Sequence, residues 1–342
     1  MIRLRAASVL FVLVLGACHQ GAGPRPGGYR IYVTNEGSGD LTVLDQSGRR
    51  LASIPLGKRP RGVVAAADGK TVFVALTGSP AAPPGADERK LPPADRSADG
   101  VGVVDAVSLK LTRVIRGIVD PEQLALSKDG ILYAGSEEAG AVLVLDAQTG
   151  RSIGSIPVGE APEGVALSPD GRFLYVTLED DNQLVVVDAA LRRVIKRLGV
   201  GGRPRSIAFS PDGTRAYVTD ELGAAVTILD AHTHAVVGTI AVAGKDARPM
   251  GVVVSPDGRR VYVSTGRGRL LAELDPAAGK TTATTEVGQR PWGVALSPDG
   301  RRIYTANGPS GDVSVVGASS LNLIRRIPAG AKPWGVAVAP AP

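Results

Sequence analysis

A repeated motif that opens on a proline constrains the fold of this chain more than any other feature. The stretch RPWGVALSPDGRRIYTAN, residues 290–307, is its clearest copy, and variants recur at an interval of about 42 residues. The motif's proline falls at seven positions: Pro60, Pro121, Pro162, Pro204, Pro249, Pro291 and Pro333. Because about 40–45 residues is the length of one four-stranded propeller blade, seven copies predict a seven-bladed β-propeller.

Each repeat divides into four strands separated by turns, as the unit that begins at Pro162 shows. Residues 165–167 form an apolar first strand, and a Ser-Pro-Asp-Gly turn follows at 168–171. In this turn Pro presets φ, Asp bonds locally and Gly accepts a positive φ. Residues 173–177, 184–188 and 193–198 supply the other strands, and the last of these carries Arg and Lys. Such charge suits a solvent-facing edge strand, so we predict an all-β domain with four antiparallel strands per blade.

The two ends of the chain complete one blade between them. The last repeat stops after a single strand at 335–339, whereas the chain from residue 29 opens with three strands, at 29–34, 41–45 and 51–55. One C-terminal strand and three N-terminal strands make the seventh blade, which leaves no sheet edge open. We therefore expect the propeller to span residues 29–342 and its termini to close the ring.

One interval between the prolines is longer than the others because residues 77–100 form an insertion between a second and a third strand. The insertion is rich in Pro and carries charges of both signs. Its position predicts that it overhangs one face of the propeller, as a lid or an arm for docking a partner. The alternative is disorder, which this composition favours.

The N-terminus has the pattern of a bacterial lipoprotein signal peptide at residues 1–17. Basic residues precede an apolar stretch too short to span a bilayer, and Leu-Gly-Ala-Cys at 15–18 resembles a lipobox. That resemblance implies a lipidated Cys18, a flexible tether at 18–28 and a periplasmic location, with His19 indicating the outer membrane. Cys18 is the only cysteine, so lipidation also removes an unpaired thiol. An ordinary cleaved signal peptide is the alternative.

Tyr-Val-Thr-Asn at 32–35 and Tyr-Thr-Ala-Asn at 304–307, together with the Ser-Pro-Asp-Gly turns, resemble the YVTN-type bacterial β-propeller repeat family. The resemblance covers everything from residue 29. The variants Asp-Pro-Glu at 120–122, Arg-Pro-Trp-Gly at 290–293 and Pro-Trp-Gly at 333–335 are nearest to a subgroup found beside quinoprotein (PQQ-dependent) alcohol-oxidation systems. This resemblance implies a fold and says little about function, because members of the subgroup are not established as the oxidising enzyme.

The residue after each proline starts an innermost strand, so we expect these seven residues to line the mouth of the central channel. In ring order they are Arg61, Glu122, Glu163, Arg205, Met250, Trp292 and Trp334. The residues before the prolines are Arg59, Asp120, Ala161, Arg203, Arg248, Arg290 and Lys332, and most of them are basic. Because Trp is favoured at binding hot spots and Arg binds carboxylates in a bidentate manner, we predict a binding site formed by the ring residues and the basic residues. Alternatively, Trp and Arg plug the channel, with Arg61–Glu122 and Glu163–Arg205 as ion pairs.

Several kinds of chemistry are excluded by the motifs that the sequence lacks. It contains three histidines, which are too few for a histidine ring that binds haem or copper, and it has no Cys-x-x-Cys-His, nucleophile elbow, Walker loop or Rossmann fingerprint. The acidic turns at 137–138, 179–181 and 220–221 lack EF-hand spacing, so we interpret them as solvated rather than as calcium ligands. We expect no metal and no cofactor. The net charge of +6 includes no basic tract and does not predict nucleic-acid binding.

Taken together, these patterns favour a non-catalytic binding scaffold, monomeric and attached to the envelope, that engages an envelope protein or a small anionic ligand. The alternative is a hydrolase similar to the sugar lactonases of propeller fold, or another metabolic enzyme, in which Glu122 or Glu163 acts as the catalytic carboxylate. A purely structural envelope protein is the third hypothesis.

Overall fold

Seven four-stranded antiparallel sheets make up the computed structural model, which describes residues 28–81 and 90–342. The prediction of an all-β, seven-bladed propeller with four antiparallel strands per blade is confirmed. The predicted signal peptide, Cys18 and all of the predicted tether except Gly28 lie outside the described residues. Within the described residues, no helix is long and apolar enough to cross a membrane.

The strands follow the repeat in chain order, and the two ends of the chain share the seventh blade. The N-terminal strands of blade 7 are β1 (Tyr29–Asn35), β2 (Asp40–Asp45) and β3 (Arg50–Pro55). Blade 1 contains β4 (Pro60–Ala65), β5 (Thr71–Leu76), β6 (Gly100–Asp105) and β7 (Lys110–Ile115). Blade 2 contains β8 (Pro121–Leu126), β9 (Ile131–Ser136), β10 (Ala141–Asp146) and β11 (Ser152–Pro157). Blade 3 contains β12 (Pro162–Leu167), β13 (Phe173–Leu178), β14 (Gln183–Asp188) and β15 (Arg193–Gly199).

The remaining blades repeat this arrangement. Blade 4 contains β16 (Pro204–Phe209), β17 (Arg215–Asp220), β18 (Ala225–Asp230) and β19 (Ala235–Ala241). Blade 5 contains β20 (Val252–Val254), β21 (Val261–Ser264), β22 (Leu270–Asp275) and β23 (Lys280–Glu286). Blade 6 contains β24 (Pro291–Leu296), β25 (Arg302–Asn307), β26 (Asp312–Gly317) and β27 (Leu323–Pro328), and β28 (Pro333–Pro340) completes blade 7. In the described part of the chain, two short 3₁₀ helices, Arg96–Ala98 and Gly266–Gly268, lie in connections.

The ring is closed by the pairing of the two ends, as the sequence predicts. Strand β28 pairs antiparallel with β1, and Tyr32 lies opposite Ala337 in this ladder. The innermost strands also contact one another in blade order, and β28 contacts both β24 and β4. The last strand of the chain is therefore the inner strand of blade 7 and the link between blade 6 and blade 1.

Aromatic side chains fill the space between the blades at one position of the second strand. This position is occupied by Tyr32, Phe73, Tyr133, Tyr175, Tyr217, Tyr262 and Tyr304, all of them buried. The clusters around them consist mainly of Val, Ile, Leu and Ala from two adjacent blades. Burying each large side chain contributes about 1.5–3 kcal/mol, so packing between blades stabilises the ring.

Hydroxyl groups at the position two residues later in the second strand hold the channel mouth together. Thr177 accepts a hydrogen bond from the backbone N–H of Gly164 at 2.7 Å and donates to the carbonyl oxygen of Arg205, in the next blade, at 3.0 Å. The same bridges recur at Thr34, Thr219 and Ser264. A Cβ atom at Gly164 would lie 2.1 Å from the Arg205 carbonyl oxygen, so only glycine permits this approach. The backbone of the channel mouth is thereby fixed by neighbouring blades.

Asp220, at the end of β17, is a buried acid with incomplete hydrogen bonding. The equivalent residues in blades 7 and 6 are Asn35 and Asn307, whose amides donate at 2.9 Å to the hydroxyl groups of Thr42 and Ser314. Asp220 Oδ2 accepts a bond of 2.7 Å from a threonine hydroxyl, but Oδ1 has no hydrogen-bond partner within the described residues. Burial raises the pKa of the Asp220 carboxyl to about 6.

We expect Asp220→Asn to raise the free energy of unfolding by about 2 kcal/mol at pH 8 and to leave it nearly unchanged at pH 4. In the unfolded chain an aspartate titrates near pH 3.9, so the folded state alone holds the extra proton between about pH 4 and 6. The native chain loses stability across that interval, and the loss persists at higher pH. Urea unfolding at both pH values tests this, with Asp212→Asn in an exposed turn of the same blade as a control of opposite sign. Hydrogen bonds led by that from Ser210 lower the pKa of Asp212, so this substitution should not stabilise the chain at pH 8. A gain of equal size at both pH values would contradict a charge effect.

Candidate functional site

Of the seven residues that follow the motif prolines, six contact one another in series around the channel mouth. We call this set of seven side chains the ring. Arg61 pairs with Glu122 on one side and lies over the ring of Trp334 on the other, 4.7 Å from its centroid. Trp334 stacks on Trp292, with 5.4 Å between ring centroids and 26° between ring planes. Because a cation over an aromatic face and a stacked aromatic pair are both attractive contacts, this half of the ring is held by its own side chains.

The series continues to the acidic side through Arg205. Its guanidinium carbon lies 5.5 Å from the Trp292 centroid, and its Nη1 atom is 3.5 Å from Glu163 Oε1. Arg205 also pairs with Glu179, and with Glu221 at 2.7 Å. Both predicted ion pairs, Arg61–Glu122 and Glu163–Arg205, are therefore present.

Two cavities lie on opposite sides of this ring, so its side chains narrow the channel without filling it. The larger, about 590 Å³, opens on the outer side, and the smaller, about 180 Å³, lies in the channel among inner-strand residues. We call the larger cavity the vestibule; the predicted site residues that line it are Arg59, Arg61, Glu122, Glu163, Arg203, Arg205, Arg290, Trp292, Lys332 and Trp334. Met250 is buried and lines the channel cavity instead. A volume of 300–1,000 Å³ is typical of small-molecule sites.

The residues before the prolines adopt a backbone conformation that side chains disfavour. Arg59, Asp120, Ala161, Arg203, Arg290 and Lys332 have φ between 36° and 57°. A left-handed backbone costs a residue other than glycine about 1–2 kcal/mol. Four basic side chains are thus held at the vestibule wall in a conformation that glycine would adopt without this cost.

Arg248 does not line the vestibule, contrary to the sequence prediction. The interval between prolines is a few residues longer here than in neighbouring blades, and the left-handed conformation falls on Asp246, with φ of 56°. The backbone N–H of Arg248 instead bonds to the carbonyl oxygen of Thr265 at 2.9 Å. The longer loop therefore removes Arg248 from the position that Arg203 and Arg290 occupy in blades 4 and 6.

The residue that follows the second strand faces the vestibule in several blades, and sequence reasoning missed this. These residues are Glu36, Glu137 and Glu179, whereas Glu221 holds the same position in blade 4 and pairs with Arg205 without lining the cavity. Glu179 is 8% exposed, and burial followed by the nearby Glu163 raises its pKa to about 7. The interpretation of these acidic turns as solvated is wrong for Glu179 and Asp220, which are buried, and for Glu137, which is half-buried, although Glu138 and the Asp-Asp pair at 180–181 are exposed. The repeat register identifies this position, because it comes directly after each second strand.

Basic groups without an acidic partner lie beside the tryptophans. Arg59 pairs with Glu36 at 2.6 Å, and Arg203 pairs with Glu179. By contrast, neither Arg290 nor Lys332 forms an ion pair within residues 28–81 and 90–342. The guanidinium carbon of Arg290 lies 5.4 Å from the Trp292 centroid, and burial lowers the pKa of this guanidinium. An anion at this point would gain a charge-assisted contact that the protein leaves open.

Three carboxylates converge on the opposite side of the vestibule. Asp120, Glu122 and Glu137 each place an oxygen within 4.8 Å of the others. Glu122 is fully buried, and its Oε2 atom has no hydrogen-bond partner among the described residues. Burial raises the pKa of Glu122 well above its ordinary value despite Arg61, and burial followed by Glu163 also raises that of Glu137. The vestibule is therefore acidic on one side and aromatic and basic on the other.

The described parts of the insertion, 78–81 and 90–99, contribute a wall to the vestibule. Leu91, Pro92 and Arg96 line the cavity, and Arg96 pairs with Asp99 at 3.1 Å and with Glu138 of blade 2. Lys58, before blade 1, pairs with Asp95 at 2.7 Å. The alternative of disorder is therefore wrong for these two flanks of the insertion. They lie over the vestibule face of the propeller, as the sequence predicts.

Comparison with known proteins supports the architecture. Residues 193–322 match a family model described as "Lactonase, 7-bladed beta-propeller", and residues 131–250 match one described as "Cytochrome D1 heme domain". The chain is a seven-bladed β-propeller. Each model covers less than half of the chain, and no curated protein matches it significantly.

Solved structures share this propeller over most of its length. A candidate 6-phosphogluconolactonase from Bacteroides fragilis is 18% identical, covers 91% of this chain and 98% of its own, and has a TM-score of 0.72. A protein of unknown function from Desulfotomaculum acetoxidans is 16% identical with the same coverage and a TM-score of 0.74. Kuenenia stuttgartiensis hydrazine synthase is 23% identical, covers 81% of this chain and 88% of its own, and has a TM-score of 0.68. At these identities the likeness shows the fold alone.

The match to a haem-domain family model raises the question whether the vestibule could bind haem, and its residues do not suit that group. Haem iron takes an axial ligand from His, Cys, Met or Tyr. The described histidines, His232 and His234, lie in a hairpin turn after β18, where His234 Nδ1 is 2.7 Å from the hydroxyl oxygen of Tyr175. Met250, the ring's single thioether, is buried below the vestibule. The vestibule's charged groups are carboxylates, guanidiniums and one ammonium, and this donor set offers haem iron no suitable ligand.

Proposed function

We propose that the vestibule binds a small anionic molecule that carries a flat or ring-shaped group. This proposal rests on the surroundings of Arg290. Its guanidinium is half-buried, lies against the ring of Trp292 and has no acidic partner among the described residues. A carboxylate or phosphate group pairs well with such a guanidinium, and the adjacent face of Trp292 offers an apolar surface for a ring. Lys332 adds a second positive charge on the same wall.

The depth of the tryptophans favours a small molecule over a folded protein. Trp334 is 4% exposed and Trp292 is half-buried, and both lie at the floor of the cavity. The described flanks of the insertion and most residues before the prolines line the same cavity, and such an enclosed position suits a small molecule better than a broad protein surface. A ligand of drug size or less fits a cavity of about 590 Å³.

Titration with a graded panel of carboxylates, gluconate, benzoate and indole-3-acetate, tests this proposal. The chain's only tryptophans are Trp292 and Trp334, so their intrinsic fluorescence reports on the vestibule directly. We expect at least one member to change this fluorescence, and Arg290→Met to weaken its affinity about tenfold, which equals about 1.4 kcal/mol.

Arg248→Met is the matched control, because Arg248 also precedes a motif proline but does not line the vestibule. It should bind like the parent chain. A panel that leaves the fluorescence unchanged, or equal losses in both arginine variants, would contradict the proposal.

Hydrolysis of a lactone or another cyclic ester is a second candidate function, favoured by the pair formed by the buried Glu122 and the half-buried Glu137. Two carboxyls whose pKa values are raised together can hold one proton between them, which is one arrangement that supports general acid–base catalysis. The lactonase family model and the likeness to a candidate 6-phosphogluconolactonase support this class of substrate. If this function is correct, glucono-1,5-lactone opens faster with the protein than without it, and Glu137→Gln lowers that rate about 100-fold or more. Unchanged rates in Glu137→Gln would exclude this role.

We propose a YVTN-type propeller that is anchored through a lipid on Cys18 to the periplasmic side of the envelope. The pattern of residues 1–18 supports the anchor. A Cys18→Ala chain that still partitions with the membrane fraction would contradict it.

A further inference from the structure

We infer that Asp120, Glu122 and Glu137 form a site for a hard divalent cation, of the size of Ca²⁺, at the acidic side of the vestibule. The inference does not rest on the small-molecule proposal, and it departs from the sequence-based expectation that the chain takes no metal. Three positions of the repeat are acidic together only in blade 2. Asp120 precedes the motif proline, Glu122 follows it, and Glu137 follows the second strand.

Local backbone geometry brings these three side chains together. Asp120 has the left-handed backbone before Pro121, with φ of 48°, and Glu122 follows on β8. Glu137 comes directly after β9, and its backbone N–H donates to the carbonyl oxygen of Asp120 at 3.0 Å. The three carboxylates are therefore positioned by one strand pair rather than by a long mobile loop.

Glu122 provides the observation that goes beyond an acidic cluster. Its side chain is fully buried and its Oε1 atom pairs with Arg61, yet its Oε2 atom has no hydrogen-bond donor within the described residues. The neighbouring Glu137 offers this oxygen only another carboxylate, and buried acceptors are rarely left unpaired. A positive species must lie between the two carboxylates, either a shared proton or a cation.

The charges that face the cluster leave it with excess negative charge when its members are ionised. Arg61 offsets one carboxylate, and Arg96 Nη1 lies 3.9 Å from Asp120 Oδ2 but also pairs with Asp99 and Glu138. Glu163 lies on the remaining side of the cluster. Its negative charge is only partly offset, because its partner Arg205 also pairs with two further carboxylates. The hydroxyl group of Thr77 donates to Asp120 Oδ1. A divalent cation would restore the balance and satisfy Glu122 Oε2.

The ligand chemistry and spacing favour calcium. All three donors are carboxylate oxygens, which suit hard cations, whereas zinc prefers nitrogen and sulfur ligands. Calcium binds oxygens at 2.3–2.6 Å, so oxygens separated by up to 4.8 Å can share one ion, and magnesium needs a smaller and stricter arrangement. Calcium takes six to eight ligands, and the vestibule leaves room for water or ligand oxygens in the remaining positions.

Terbium(III), a luminescent probe for calcium sites, tests the inference on the whole chain. Arg61 contacts both the Glu122 carboxylate and the Trp334 ring, so an ion in this site lies close to the only tryptophans. We expect tryptophan excitation to sensitise terbium emission and calcium chloride to compete with it. Glu137→Gln should weaken terbium binding about tenfold or more, because one charged ligand is lost. The exposed neighbour Glu138→Gln is the matched control and should bind terbium like the parent.

Calorimetric titration with calcium chloride separates the metal from a shared proton. If the cluster holds a cation, calcium binds with a stoichiometry of one and releases protons, and Trp334→Phe keeps this binding while reducing the sensitised emission. Absence of calcium binding together with absence of sensitised emission would mean that a shared proton alone occupies the cluster, and would overturn the inference. Equal weakening of terbium binding in the Glu137 and Glu138 variants would also overturn it. Failure of the carboxylate panel to bind leaves these readouts unaffected.

Discussion

A chain that ends before Pro333 is expected to lose cooperative unfolding and the near-ultraviolet circular dichroism of a packed core. Strand β28 is the inner strand of blade 7, pairs with β1, and contacts the inner strands β24 and β4 of the two adjacent blades. Its removal exposes the buried Tyr32 and eliminates Trp334, which is 4% exposed. Each such side chain contributes about 1.5–3 kcal/mol, so the two together approach the lower end of the 5–15 kcal/mol that stabilises a typical protein.

Removal of residues 341–342 alone is the matched control for this truncation. These residues follow β28 and contribute one backbone hydrogen bond, from the N–H of Ala341 to the carbonyl oxygen of Gly28 at 2.7 Å. We expect the midpoint of thermal unfolding to change by only a few degrees. A synthetic peptide of residues 333–342 should restore cooperative unfolding to the truncated chain if the strand closes the ring. A truncated chain that melts cooperatively at the parent's midpoint would show that six blades and a partial seventh are stable by themselves.

The fold could be predicted because a propeller repeats one local pattern with a fixed phase. Once Pro162 and its equivalents mark the start of the inner strand, the residue after each proline must face the channel mouth, and adjacent repeats must supply neighbouring ring positions. This reasoning gave the Arg61–Glu122 and Glu163–Arg205 pairs, which the structure contains. Both depend only on the order of the repeats, and no long-range information beyond ring closure is needed to obtain them.

The direction and charge state of turn residues could not be predicted in the same way. Glu137 and Glu138 are neighbours in one acidic turn, yet the first lines the vestibule and the second is exposed. The turn's backbone decides which of them faces the cavity, and composition carries no signal for that. Likewise, Glu122 owes its raised pKa first to burial, which several blades create together. Arg248 does not lie where the repeat predicts, because the loop before Pro249 is longer and the left-handed backbone conformation falls on Asp246 instead.

Replacement of the buried cation at the ring, Arg61→Met, is expected to lower the free energy of unfolding by about 3–5 kcal/mol at pH 8 and by clearly less at pH 5. Burial raises the pKa of Glu122, and Arg61 is the neighbour that lowers it most. Without Arg61 the carboxyl needs a proton to remain buried. Relative to the parent, retaining that proton costs the variant about 1.4 kcal/mol for each pH unit above the pKa that Glu122 has in the parent, where Arg61 still stabilises the ionised carboxyl. Burial already raises that pKa in the parent, so the destabilisation by Arg61→Met grows with pH above this raised pKa and is constant below it.

A double variant separates this charge effect from lost packing. Arg61→Met combined with Glu122→Met removes both charges, and replacement of a buried ion pair by apolar groups of similar volume is often nearly neutral. We expect the double variant to recover most of the stability at pH 8 and to lose the pH dependence of the single variant. Arg49→Met, which removes an exposed pair with Asp45 at 3.0 Å, should cost less than about 1 kcal/mol at either pH. If the single variant instead loses the same stability at pH 5 and pH 8, packing against Trp334, rather than the charge of Glu122, sets the contribution of Arg61.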